Sequence, residues 1–205
     1  MNYLTKESTG RLTAVGDPYV RWNPYGAKRE DMNREAYEAI KDAWQACVKV
    51  RALCPSARED AIGRTVYQSS GWYRERGVNY FVKPDGPLTK EGLASLQQMT
   101  AFVNRSFIIV VAAILEAHDV VPYNTTPDRS RDGGDHVQLV KWLRNRFAHG
   151  EYEYDPNNKK HVETRQLLEI LLPDTATPTL QGFPAAIDKI LEPLKDAVLR
   201  YIAAS

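Results

Sequence analysis

Cysteine is scarce in this chain of 205 residues, its hydrophobic runs are short, and neither sign of charge predominates. The two cysteines, Cys47 and Cys54, lack the paired spacing of a zinc site or a redox motif. Both read as reduced core residues. The longest apolar run, Phe107 to Leu115, is bounded by Arg105 and Glu116 and falls short of the roughly 20 residues that a membrane span needs. The N-terminus lacks the basic, apolar and small-residue order of a signal peptide. The expectation is a cytoplasmic protein with no membrane contact.

Formal net charge is only +1, whereas a domain that coats nucleic acid is usually strongly basic. Any nucleic-acid contact is therefore expected to be local. The chain also lacks a phosphate-cradling glycine loop, a serine-nucleophile signature and a carboxylate pair placed as an acid/base couple. His136, on the expected core side, and His161, in a polar turn, show no metal-ligand spacing. Neither a metal nor another cofactor is expected. Internal repeats, low-complexity tracts and convincing alternating strands are missing as well.

What remains is an ordinary globular composition, 43% hydrophobic and 26% charged, patterned for helices. Residues 1–28 are broken by Gly10, Gly16, Pro18, Pro24 and Gly26 and read as an N-terminal extension. Residues 29–205 read as one all-α domain. Tyr37, Ile40, Trp44 and Val48 mark a first helix from about Arg29 to Leu53, stopped by Pro55. Ser56 with Glu59 resembles a capping box that opens a second helix to about Gly71. A Pro-Asp-Gly turn is expected at Pro84 to Gly86. A long helix follows from about Thr89 to His118, with Leu96, Met99, Val103, Phe107, Val110 and Ile114 as a continuous stripe. It is apolar nearly all round in its second half, which predicts a central, buried helix.

Asp135 is the expected N-cap of a helix that ends at Gly150. Further helices are expected from Asn158 to Leu172 and from about Ala185 to Ala203, joined by a loop at Pro173 to Pro184. On the helix before Gly150, His136, Val140, Leu143 and Phe147 share the expected core side. Gln138, Trp142, Asn145 and His149 lie nearly opposite. A tryptophan there predicts a second buried surface, formed by a partner subunit or a neighbouring segment.

The end of this helix, Leu143-Arg144-Asn145-Arg146-Phe147-Ala148-His149-Gly150-Glu151, sets an arginine, an amide and a histidine close together. A guanidinium grips phosphate through a bidentate fork, and an imidazole moves protons near neutrality. Those are the parts of a metal-free phosphodiester site. Asn145 and His149 are four apart and share a strip, whereas Arg144 stands about 140° from His149 on an ideal helix. Two routes repair that geometry. Either the chain swings His149 round near Gly150, or a two-fold copy of the helix brings its own arginine and histidine across. The simpler alternative is a last-turn histidine that complements the helix dipole.

Lys141, Arg146, Arg129 and Arg131 offer a basic rim for RNA, with Tyr152 and Tyr154 as stacking surfaces. Interleaved Asp128, Asp132, Glu151 and Glu153 make the same stretch read as an ordinary solvated face. Glu116 and His118 are placed to approach the motif helix, Glu116 as a structural partner for an arginine.

The string Arg144-Asn145 followed by His149-Gly150, after a loop and a long apolar helix, resembles the HEPN (higher eukaryotes and prokaryotes nucleotide-binding) superfamily. The resemblance covers about Arg29 to Ala203 as a helix order and is specific over Leu143 to Glu151. It implies a helical bundle, usually homodimeric, with both motif helices at the interface and Gln138 and Trp142 among the interface residues. Many members are metal-independent endoribonucleases that act as toxins or in defence against phage. Carried onto this chain, Arg144 would hold the scissile phosphate, His149 would transfer protons, and Asn145 would keep the geometry. Lys141, Arg146 and Tyr152 would touch the RNA, and an antitoxin or other protein inhibitor is a further implied partner. Other members are non-catalytic modules that bind nucleotide, RNA or protein, and this is the alternative function.

Overall fold

In the computed structural model, the described residues are 29–54, 59–66, 68–69, 81–82, 86–150, 154–171 and 187–205. The N-terminal extension, the connecting loop from Pro173 to Pro184, most of the Pro84 to Gly86 turn, and Tyr152 lie outside them. The described chain is predominantly helical, so the all-α class holds.

Five α-helices form among the described residues: α1 (Arg29–Ala52), α2 (Lys90–Ala117), α3 (Gly134–Ala148), α4 (Lys159–Leu171) and α5 (Ile187–Ala203). Helix α1 packs on α2 and α5, and α3 also packs on α2 and α5, so these four close into a ring around one core. Helix α4 is added on the outer side of α3. The helix with three helical neighbours is thus the motif helix α3, not the long α2. The core is filled by Ile40, Trp44 and Val48 of α1, Phe107, Ile108, Val111 and Leu115 of α2, Val137, Val140, Leu143 and Phe147 of α3, and Leu191, Leu194 and Val198 of α5. Trp44 meets Phe107 edge-on at a centroid distance of 5.5 Å, the geometry that aligns ring quadrupoles. Both cysteines are free and buried.

Helix α2 is long and apolar enough to cross a membrane, and half of its most apolar window is buried inside the fold. Packing accounts for that half. The expected stripe is only partly internal: Val103 and Phe107 are buried, while Met99 and Val110 are exposed together with Phe102. The inward strip instead runs through Leu93, Thr100, Asn104, Ile108, Val111 and Leu115. A helix apolar on several sides carries no sequence signal for which side turns inward.

The second helix predicted from Ser56 to Gly71 does not form over its described residues. A single 3-10 turn spans Glu59–Ala61, and Ile62 then bridges in parallel to Leu88. The bridge is closed by Gly63 N–H to the Leu88 carbonyl and Leu88 N–H to the Arg64 carbonyl, both 2.9 Å. Long-range backbone pairing has replaced the local helical bonds. Two strands, β1 (Gln68–Ser69) and β2 (Phe81–Val82), pair antiparallel just beyond, against the expectation of no strands, without changing the class.

Helix α3 begins two residues earlier than expected. Its N-cap is Gly133, at a φ of 80°, and Asp135 lies inside the first turn, where its carboxylate pairs with Arg129. Only glycine suits position 133: a Cβ there would overlap the Ala197 carbonyl of α5, and the left-handed backbone disfavours other residues. The close approach of α5 therefore overrides the capping preference of aspartate. At the other end, Gly150 has a φ of 69° and its N–H bonds the Phe147 carbonyl, as expected of a glycine past a helix terminus.

Candidate functional site

A cavity of about 450 Å³ lies between the last turns of α3 and the first turns of α4. Trp142, Asn145, Arg146 and His149 line it from α3 and its C-cap, Lys160, His161 and Thr164 from α4, with Asn158 and Tyr123 completing the wall. No carboxylate occurs in this described lining. Two permanent cations, two imidazoles and two amides surround a space open to solvent, so the cavity suits an anion rather than a cation. Among the described residues no cluster of three His, Cys, Asp or Glu side chains is placed to hold a metal ion.

The α4 wall follows from local rules. Asn158 caps the helix, its Oδ1 accepting from Lys160 N–H at 3.0 Å, which places the first turn of α4 and its positive dipole end beside the cavity. His161 follows on that turn and is buried, its Nδ1 accepting from the Asp155 backbone N–H at 3.1 Å. In the neutral ring this acceptor role puts the proton on Nε2. These α4 residues were not found from sequence. Asn158 was legible as a helix start, but nothing local ties that start to the end of α3.

The sequence-predicted trio is only partly assembled here. Asn145 and His149 share the cavity and are exposed. His149 sits at the C-cap with φ −93° and ψ 1°, its N–H still bonded to the Asn145 carbonyl, so the chain does not swing it across the helix. Arg144 does not line the cavity. Its Nη2 meets Glu116 Oε2 of α2 at 3.2 Å, its Nη1 donates to Asn145 Oδ1 at 2.8 Å, and its guanidinium carbon lies 4.9 Å from the Tyr123 ring centre. Glu116 is thus the partner of an arginine, as expected. His118 turns instead to Glu35 of α1, 3.7 Å away. The arginine that shares His149's cavity is Arg146, three residues before it on the same strip.

Two residues of the expected basic rim are drawn into the fold. Arg146 is buried in the cavity wall, not displayed on the surface. The Lys141 ammonium donates to the backbone carbonyls of Pro122, Tyr123 and Thr125 at 3.0, 3.0 and 2.6 Å. All three of its protons are used on the loop. Burial holds Lys141 below the usual lysine range; nearby Glu116 opposes that shift and Arg144 adds to it. Arg129 pairs with Asp135, Arg131 bonds Ser205 and stacks on Tyr201, and Arg200 pairs with Asp132 at 3.0 Å. That end of α3 is an ion-paired, solvated face, the plainer of the two expectations.

Gln138 is 7% exposed and Trp142 is half-buried within the single chain. Trp142 packs against the core and borders the cavity that α4 closes. A neighbouring segment, α4, thus lies beside the surface inferred from Trp142. Compared with family models, with curated proteins and with solved structures, the chain finds no match.

Proposed function

We propose that this chain is a metal-independent endoribonuclease of the HEPN type, with its site in the cavity between α3 and α4. The observation that carries the reading is the joining of Asn145 and His149 with Arg146 and Lys160 in one cavity of about 450 Å³ whose described lining holds no carboxylate, a size within the usual range for small-ligand pockets. The two cations supply the charge that a phosphodiester needs. In the reaction the ribose 2′-oxygen attacks the adjacent phosphorus, its proton passes to a base, and the bond to the 5′-oxygen breaks as that oxygen gains a proton. The products are a 2′,3′-cyclic phosphate and a 5′-hydroxyl. His149 is the proton-transfer group, because its ring is solvent-accessible at the cavity edge. Asn145 orients the ribose, and Arg144 positions Asn145 through its 2.8 Å bond.

We further propose a cytoplasmic homodimer in which the exposed end of α3, carrying Asn145 and His149, meets its two-fold copy, in a toxin–antitoxin or anti-phage setting with an inhibitor protein as partner. The test incubates the protein and its His149→Ala variant with total RNA and tRNA in excess EDTA, with end-group mapping of any fragments. Cleavage by the parent alone, leaving 5′-hydroxyl ends, supports the reading; equal activity in the variant overturns it. One observation favours a second reading, a non-catalytic module that binds RNA, nucleotide or protein. The motif arginine does not line the cavity and is engaged by Glu116, Asn145 and Tyr123. A parent protein that binds RNA and never cuts it selects that reading.

A further inference from the structure

Tyr123 is 59% exposed, yet its surroundings are built to hold it still. The three Lys141 bonds fasten the Pro122–Thr125 backbone to α3. Within the loop, Thr125 Oγ1 and N–H both donate to the Pro122 carbonyl, at 2.8 and 3.0 Å. The Arg144 guanidinium lies over the ring at 4.9 Å and is itself anchored by Glu116 and Asn145. Tyr123 lines the cavity, whereas Arg144, over the ring, does not. With one face covered, so large an exposure leaves the opposite face to solvent. A preorganised aromatic face beside a cationic cavity is the arrangement that receives an unstacked base while a neighbouring phosphate is bound.

We propose that Tyr123 is a base-stacking residue. An unpaired nucleobase of an RNA strand whose phosphate enters the cavity stacks on the ring face opposite Arg144, and Lys141 positions that ring. This rests on the ribonucleotide reading of the cavity, but on binding and not on cleavage. Because every base offers a π face, the contact adds affinity with little base preference.

The probe is a short single-stranded 2′-O-methyl oligoribonucleotide, which lacks the attacking hydroxyl and so reports binding alone, followed by fluorescence anisotropy. Tyr123→Ala is expected to raise the dissociation constant about tenfold, while Tyr123→Phe and Tyr123→Trp stay within about twofold of the parent. Lys141→Met should weaken binding with unchanged circular dichroism. Binding by Tyr123→Ala equal to the parent overturns the proposal. So does a Tyr123→Phe variant as weak as Tyr123→Ala, since the hydroxyl would then be the contact. A parent that does not bind the probe overturns it as well. If the parent binds in a Tyr123-dependent way and never cleaves RNA, the stacking proposal stands and the nuclease reading falls. If the parent cleaves and Tyr123→Ala binds and cleaves equally, the reverse holds.

Discussion

The Arg144 guanidinium meets the Glu116 carboxylate at 3.2 Å, both side chains being about four-fifths buried, and the pair ties the motif helix α3 to the long helix α2. The same guanidinium holds the Asn145 side chain at 2.8 Å. One structural contact therefore sets the position of an amide in the cavity wall, and mutations at Arg144 act on the fold as well as on the site.

A double-mutant cycle on Arg144→Ala and Glu116→Ala is expected to give a coupling of about 1–2 kcal/mol, between the values for exposed and buried pairs. His149→Ala, at an exposed C-cap, should cost less than about 0.5 kcal/mol. Denaturant midpoints of the four proteins of the cycle and of the His149→Ala variant check both numbers. A coupling near zero would remove Arg144 from the positioning role assigned to it.

Arg51 is 1% exposed in the core, where its Nη1 donates to Thr100 Oγ1 at 3.0 Å and weakly to the Cys54 carbonyl at 3.5 Å, while Nε has no hydrogen-bond partner. No carboxylate pairs with it among the described residues. A buried cation so thinly compensated is costly, so Arg51→Met is expected to raise stability by about 1 kcal/mol, read as a higher urea midpoint with unchanged slope. A fall of that size would show that the two hydrogen bonds outweigh the desolvation.

At the N-cap of α3, Gly133→Ala meets both the Ala197 carbonyl and a left-handed backbone. The expected loss exceeds about 2 kcal/mol. Gly150 has the same sign of φ but open space around its missing Cβ, so Gly150→Ala should cost about 1 kcal/mol. Equal losses at the two positions would mean that the α5 contact contributes nothing.

Burial holds the His136 imidazole below its ordinary value of 6.5, with Arg200 adding to the drop and Asp135 and Asp132 opposing it. As pH falls below about 6.5 the unfolded chain takes up this proton first. The stability present above that pH is therefore lost on acidification until the folded-state value has been passed, after which no more is lost at this site. Melting temperatures at about pH 7.5 and about pH 5 should differ less in His136→Gln than in the parent. A larger difference in the variant contradicts the assigned sign.

Burial also pushes the Cys47 thiol up to about 12, against an opposing effect of Arg51 and with a small addition from Cys54. Native protein at about pH 8 should therefore resist iodoacetamide at Cys47, and denatured protein should react there. Rapid labelling of the native state would place this residue outside the core.

The sequence alone located all five described helices to within a few residues, because each carries a 3.6-residue apolar period bounded by a cap, a glycine or a proline. Thr89 at the N-cap of α2 and Gly150 beyond α3 are legible in that way. It also placed Asn145 and His149 on one strip, since a four-residue step is local geometry. Tertiary structure decided what periodicity leaves open. Which side of α2 turns inward is settled by α1 and α3, and the helix predicted after Pro55 gave way to a long-range bridge between Ile62 and Leu88. The cavity depends on α4 lying against the end of α3, more than ten residues further along the chain, so His161 and Lys160 carried no local mark of their role. Arg144 and Arg146 differ by two positions, about 200° around the helix. Only the packing of α2 on one side and α4 on the other turned Arg144 toward Glu116 and brought Arg146 into the cavity with His149.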